Sequence, residues 1–360
     1  MKIRDRYIAK TLLTYTIVVL VVWLSIYSFF NFLTELNSVG QGAYTILSAF
    51  KYVLLHLPEV AYNQASPIIL LGCVLGMGHL ATTSQLLIFR VSGDSIIRIT
   101  VTTLKNALIF VLIIIAVGEF LAPTFSNFGE NSRSSALGKN SASINQDGFW
   151  IRDGDNFINV RKNIDGKLFS GITVIEVNSS KIERVSKSEN AIFDGNSLDM
   201  SDSEIFTIDD SGFFENISLK ERNSYNKIVS FDQDLIDSLE KEPKDLSTWT
   251  LIKKIKFLSE NKLRSGVFEV ELYSRLVKPV TLIAMILLAM LFIFGSTRDV
   301  SLGRKIFFGV ALGLSFEMLS RIASSMALSL NFNPLISAIL PPLVFIFISI
   351  ILLIQKSMRS

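Results

Sequence analysis

The residues best placed to do chemistry in this sequence are charged side chains set in or beside long apolar runs. Glu317 and Arg321 lie four apart in one such run, acid before base, the order that favours an ion pair along a helix. Arg275 and Lys278 stand just before Pro279, where another run opens, and Glu119 closes a third in Gly118-Glu119-Phe120-Leu121-Ala122-Pro123. Glu59 sits beside Pro58 in a fourth, with Pro67 beyond it, so a kink or a helix ending is expected there. A charge at the centre of a bilayer costs about 3 kcal/mol or more, so each of these residues marks a structural pair, an interface contact or a functional site. For the cations the last means a grip on an anionic headgroup, and the second means ordinary snorkelling to water.

Catalytic patterns are missing. Gly138-Lys139 and Gly166-Lys167 lack the earlier glycine and the following Ser or Thr of a phosphate-cradling loop. Neither a metalloprotease HExxH nor a GxSxG nucleophile elbow occurs. Two histidines, His56 and His79, and one cysteine, Cys73, make a zinc site an unpromising reading, and no metal or cofactor is expected in this chain. If the protein moves a substrate, its energy must come from another chain.

The elements that must hold these charges are long helices. Apolar runs cover roughly 11–33, 50–78 and 99–122, and again 278–297, 306–329 and 334–355, each about the 20 residues needed to cross some 30 Å of hydrocarbon. Hydrophobic residues make up 49% of the chain and mean hydropathy is +0.44, which fits six spans carrying one polar insertion. The first run follows a basic start but no small-residue cleavage site, so an uncleaved span is expected. Residues 124–270 hold 19 Lys+Arg against 24 Asp+Glu, whereas the rest of the chain holds 16 against 8. The basic excess clusters at Lys2, Arg4, Arg6 and Lys10, at Arg90, Arg98 and Lys105, at Arg298, Arg304 and Lys305, and at Lys356 and Arg359. Positive residues in short loops mark the cytoplasmic side, which puts both termini inside and the acidic insertion outside.

The insertion reads as short strands and turns. Phe149-Trp150-Ile151-Arg152 and Phe157-Ile158-Asn159-Val160 flank Asp153-Gly154-Asp155-Asn156, a hairpin signal, and Asp194-Gly195-Asn196 and Asp209-Asp210-Ser211-Gly212 punctuate later strands. A sandwich, roll or barrel-like sheet follows. About 247–261 the period changes: Trp249, Ile252, Ile255 and Leu258 take helical spacing behind Ser247, a good N-cap, in a short amphipathic helix. It either returns the chain towards the membrane surface or packs on the sheet. Between the second and third runs, residues 79–93 mix Leu80, Leu86, Leu87, Ile88 and Phe89 with Thr82, Ser84, Gln85 and Arg90 before Ser92-Gly93. This is a second short amphipathic helix, suited to docking on a motor subunit or to lying at the interface.

Five segments, in order on this topology, resemble the YjgP/YjgQ permeases, the LptF and LptG half-transporters of lipopolysaccharide export. They are Asp5-Arg6-Tyr7-Ile8, Gly40-Gln41-Gly42, Gly118-Glu119-Phe120-Leu121-Ala122-Pro123, Asp147-Gly148-Phe149-Trp150 with the following hairpin, and Phe292-Ile293-Phe294-Gly295 with Arg298. They are more similar to the LptG half than to the LptF half. The resemblance implies a membrane α-helical protein of six transmembrane helices with an inserted all-β periplasmic domain of jellyroll type. Residues 1–123 would carry helices 1–3, 124–270 the periplasmic domain and 271–360 helices 4–6. It implies a bacterial inner-membrane location, lipopolysaccharide as substrate and an LptF-type permease as heterodimer partner. It further implies an LptB ATPase dimer that binds the ATP and Mg, association with LptC, and contact with LptA through the periplasmic domain.

Carried onto this chain, the 79–93 segment becomes the coupling helix, with Ser84, Gln85, Leu86, Phe89, Arg90, Ser92 and Gly93 meeting the ATPase. Gln85 stands where relatives often have a glutamate. Relatives often carry lysines at the outer end of the first span, where this chain has Asn31, Thr34, Asn37 and Ser38. The grip on lipopolysaccharide phosphates is therefore assigned to Arg133, Arg275 and Lys278, and Glu119, Pro123, Glu317 and Arg321 to structure or gating. Two other readings stay open: the LptF half of the same exporter, and an anchored receptor, which calls for a long cytoplasmic signalling segment.

Overall fold

The computed structural model describes residues 3–138, 149–163, 167–178, 181–209, 216–232, 235–236, 238, 242–295, 302–330 and 332–359. Asp147-Gly148, the Asp210-Ser211-Gly212 turn and Arg298 lie outside them. The chain forms two compact units, one of Met1–Val39, Thr45–Glu130 and Glu269–Ser360, the other of Gly40–Tyr44 and Asn131–Phe268.

Among the described residues six helices are long and apolar enough to cross a membrane. The first is α1 (Ile3–Glu35). The second apolar run is divided into α2 (Ile46–Asn63) and α3 (Ala65–Thr82). The chain breaks at Gln64, between the two prolines. Pro67 then falls in the first turn of α3, where a missing N–H costs nothing because no intrahelical acceptor exists for it. The short α4 (Gln85–Val91) follows.

The third run does not stop at Pro123. Helix α5 (Ile96–Ala116) passes through a π-helical turn, Val117–Leu121, into α6 (Ala122–Ala136). Pro123 offers no N–H to the Glu119 carbonyl and its ring crowds that carbonyl, so the helix widens just before it instead of ending. The fourth span also starts earlier than hydropathy suggests. Helix α8 (Gly266–Gly295) has Arg275, Lys278 and Pro279 in its body. Helices α9 (Leu302–Ser329) and α10 (Pro334–Arg359) complete the set.

Helix α3 is apolar on all sides and sits at the centre of its unit, with Ile68, Leu70, Met77 and Leu80 fully buried. Small residues let neighbours approach it closely. A Cβ on Gly72 would lie 2.5 Å from Thr16 Oγ1 of α1, and Gly309 and Gly313 of α9 lie against Leu71 and Pro67. Such close backbone approach is the main source of helix association where no hydrophobic drive acts between helices in lipid.

The inserted unit is one antiparallel sheet: β1 (Phe149–Asp153), β2 (Asn156–Asn163), β3 (Leu168–Asn178), β4 (Lys181–Phe193), β5 (Ser197–Asp209) and β6 (Asn216–Ile228). Neighbours in space are neighbours in sequence throughout. Asp153 pairs with Asn156 across a two-residue turn in which Gly154 has φ +62°, a conformation glycine takes without steric cost. Period-2 alternation sends Ile158, Val174, Ala191, Leu198 and Met200 to one buried face. That face is covered by the return segment around Phe231 and by α7 (Thr248–Glu260), capped by the Ser247 hydroxyl. A ladder of rings, Phe149, Phe169, Phe193, Phe231 and Phe257, links β1 to α7 with centroids 5.7 to 6.4 Å apart. The Asp153 carboxylate accepts from Ser230, and the Gly154 N–H donates to Asn261 Oδ1 at 2.6 Å, so the first turn is tied to both covering elements.

Candidate functional site

The charged residues of the fourth and fifth spans meet in one place. On α9, Glu317, Ser320, Arg321, Ser324 and Ser325 fall at spacings of three and four, which puts them on one face of the helix. On α8, Ser274, Lys278 and Thr281 do the same. The two polar stripes, with Ser66 of α3 and Ser337 of α10, line a cavity of about 420 Å³ within the membrane helices.

Lys278 is held at its edge. Its Nζ donates to the Asn63 carbonyl at 3.2 Å and lies 5.2 Å from the centroid of the Tyr62 ring. Asn63 is the last residue of α2, and the break at Gln64 leaves carbonyls at that helix end without intrahelical donors, a natural seat for a cation. Arg321 Nε approaches Glu317 Oε1 at 3.5 Å while the arginine side chain stays 73% exposed. The cavity therefore presents two cations, one carboxylate and a row of hydroxyls. Such a set can hold a phosphate by charge-assisted hydrogen bonds and a sugar by hydroxyls.

Arg275, one turn before Lys278, is mostly buried and donates from Nε to Glu271 Oε1 at 2.8 Å. Arg133 is half-buried near the end of α6 and belongs to the other compact unit. Glu119 lies on the π turn with Gly118, and Pro123 opens the next helix. A Cβ on Gly118 would fall 2.1 Å from the Tyr62 ring, so glycine there is what lets Tyr62 occupy its place beneath Lys278. Glu59 accepts from the Ser126 hydroxyl, and Glu130 accepts from Tyr52 at 2.7 Å. The serine stripes were legible in sequence as hydroxyls at helical spacing around Glu317 and Lys278, a signal that a search for charge alone passes over.

Residues 79–93 form a separate structure. Helix α3 carries His79 to its last turn, Ser84 turns the chain at φ +61°, α4 runs from Gln85, and Gly93 at φ +94° ends it. Leu86 and Phe89 pack inward, while Leu87, Ile88 and Val91 face out, Val91 at 81% exposure. Gln85 Oε1 is buried without a hydrogen-bond partner among the described residues. Arg90 is half-buried, and the Ser92 hydroxyl caps the Ile88 carbonyl at 2.8 Å. Next to them Asp94 accepts from Arg4, and from Arg98 at 3.3 Å. Burial alone would raise the Asp94 carboxyl, but these arginines outweigh it and hold it below the ordinary carboxylate range.

A second cavity, about 450 Å³, lies in the inserted unit across β2–β5. It is lined by charges of both signs, Arg161 and Lys187 against Glu189, Asp202 and Glu204. Among the described residues no group of three His, Cys, Asp or Glu side chains is arranged to hold a metal ion.

Residues 6–355 match the family model for the lipopolysaccharide export system permease LptF/LptG. The chain is 29% identical over 356 residues to the lipopolysaccharide export system permease protein LptG of Escherichia coli K12, covering 98% of each chain. It is 27% identical over 343 residues to the protein of that name from Haemophilus influenzae, covering 95% of each. The match spans both sets of membrane helices and the inserted sheet, and the chain belongs to the LptF/LptG family of lipopolysaccharide export permeases.

Proposed function

We propose that this chain is the LptG-type half of a lipopolysaccharide exporter, a non-catalytic permease subunit. It extracts the lipid from the outer leaflet of the inner membrane and passes it to its inserted β domain. Lys278 and Arg321, facing a serine-lined cavity inside the membrane helices, carry this reading. Phosphates and sugar hydroxyls of a headgroup find donors there, and the cavity's low-dielectric walls strengthen each charged contact. Arg133 and Arg275 are added cations on the headgroup path, Arg275 through exchange of its partner Glu271. Glu119, Pro123 and Gly118 form a gate element, because the π turn and Tyr62 share one space with Lys278.

Energy comes from an LptB ATPase dimer that binds ATP and Mg. The outward side chains of α4, Leu87, Ile88 and Val91, are its docking surface, with Ser84, Gln85, Arg90, Ser92 and Gly93 setting the helix ends. An LptF-type permease completes the heterodimer, LptC associates with it, and LptA receives the lipid from the inserted domain. Clustering of basic residues at the α4 side and at both termini supports cytoplasmic termini and a periplasmic inserted domain.

The test is detergent co-purification with the associated chains identified by mass, together with lipopolysaccharide crosslinking. An ATPase and a second six-span permease are expected in the eluate. Arg133→Ala and Arg275→Ala are each expected to lower crosslinking and lipid-stimulated ATPase activity. Unchanged values for both would remove those two arginines from the phosphate path.

A further inference from the structure

The inserted unit carries one surface whose composition is unlike the rest of it. Helix α7 buries Leu251, Lys254 and Phe257, the last of them in the core it shares with the sheet. On the opposite side Trp249, Ile252 and Lys256 lie at spacings of three and four in a single stripe, with Trp249 66% exposed and Ile252 44%. Beyond the helix Leu263 and Val267 are exposed, and Lys262 and Arg264 are exposed between and beside them. Of the five Lys or Arg in residues 249–267, Lys254 is buried and Lys253 pairs with Asp232, so the surface carries Lys256, Lys262 and Arg264 against one acid, Glu260, which lies 3.9 Å from Lys256.

Position in the chain sets what this surface meets. Five residues separate α7 from Gly266, where the membrane-crossing α8 begins. Five extended residues reach less than about 20 Å. The link is also short in space: Lys254 Nζ of α7 lies 4.3 Å from the centroid of the Phe268 ring, in the first turn of α8. An exposed tryptophan and isoleucine bordered by lysines, next to a span, is the composition that settles at a headgroup layer, with the ring among the acyl-chain ends and the ammonium groups at phosphates.

We propose that the Trp249–Val267 surface rests on the outer headgroup layer of the membrane and holds anionic phospholipid there. The charge balance names the occupant, since a protein partner covering this face would have to match both an indole and at least three cations. Contact with lipid anchors α7, and through the aromatic ladder it fixes the sheet that α7 covers. The side of the membrane rests on the orientation proposed above, whereas the contact itself does not depend on what the protein transports.

The test uses the full chain in lipid nanodiscs, with Trp23→Phe and Trp150→Phe so that Trp249 is the one remaining indole. Discs are made of phosphatidylethanolamine alone, or with about one-third phosphatidylglycerol whose acyl chains are brominated or not. Bromine is expected to quench Trp249 emission at least about twofold, because quenching requires contact. Lys256→Glu, Lys262→Glu and Arg264→Glu together are expected to remove most of that quenching while leaving thermal unfolding unchanged. Absence of quenching overturns the proposal, and so does quenching that survives the charge reversal in full. Shielding of Trp249 from acrylamide without quenching by bromine would assign the surface to a protein partner, and also overturns it.

Discussion

Each unit of this molecule takes one lysine out of bulk water, and the two do it in opposite ways. In the membrane unit, Lys278 sits at the edge of a cavity of about 420 Å³ that also contains a carboxylate and a row of hydroxyls. In the inserted unit, Lys254 is closed in. Its Nζ donates to the Ser238 carbonyl and faces the Phe268 ring, and burial pushes the amine down to about 8. A roomy polar setting lets a cation exchange one partner for another, as a binding site requires. A tight apolar setting leaves only protonation free to change, so that lysine affects stability and not ligand affinity.

The comparison breaks first at Lys278. Lys278→Met is expected to lower lipopolysaccharide crosslinking in the assembled transporter by at least about tenfold, roughly 1.4 kcal/mol of binding. Lys254→Met should leave it within about twofold. Equal loss in both would mean that the closed lysine also serves transport.

The pH dependence sharpens the other side. The folded value near 8 lies below the ordinary 10.5, so between those values the unfolded chain binds more protons than the folded domain. The cost of burying the amine is at full strength below pH 8 and fades as pH rises, so stability climbs across that window. A gain of about 2 kcal/mol is expected between pH of about 8 and about 9.5, read from urea unfolding by Trp150 and Trp249 fluorescence. Lys254→Met should flatten it. Tyr225, raised to about 12 by burial and its bond to Glu176, contributes stability that is intact below pH 10 and does not mask this slope. Glu176 acts at the acid end. Burial would raise it, but Lys227 and Tyr225 hold it below the ordinary range, so its contribution is lost as pH falls through the carboxylate range.

Two smaller effects refine the contrast. Asn261→Ala removes the acceptor that holds the Gly154 N–H and should cost the inserted unit about 1 kcal/mol, seen as faster amide exchange at that turn. Glu317→Gln removes the anion that competes with a phosphate for Arg321. Crosslinking is expected to rise about threefold, with thermal stability changed by less than about 0.5 kcal/mol, because the arginine is mostly exposed. A fall in crosslinking would show that the carboxylate positions the cation instead of competing for it.

Much of the frame was legible in the residues. Six apolar runs, one interruption and the Asp-Gly hairpin around 153–156 all follow from contiguous sequence, and the antiparallel sheet bears out an all-β insertion. The ends of the runs were less so. Hydropathy places the third end near Pro123 and the fourth start near Lys278, yet polar helix continues past one and precedes the other. A helix keeps its own hydrogen bonds after it becomes polar, so polarity alone does not mark its end. The mixed apolar residues of 79–93 gave an amphipathic helix, but which of them face out depends on what α4 packs against.

Sequence alone determined that charges at Arg275, Lys278, Glu317 and Arg321 lie in or beside membrane helices, because hydropathy and helical spacing are properties of neighbouring residues. Tertiary structure decided that Lys278 shares a cavity with Glu317 and Arg321, since that cavity draws on α3, α8, α9 and α10. It also placed Tyr62 in the room left by Gly118, beneath Lys278. Contacts between residues tens to hundreds of positions apart are set by how helices pack, and no local pattern encodes them.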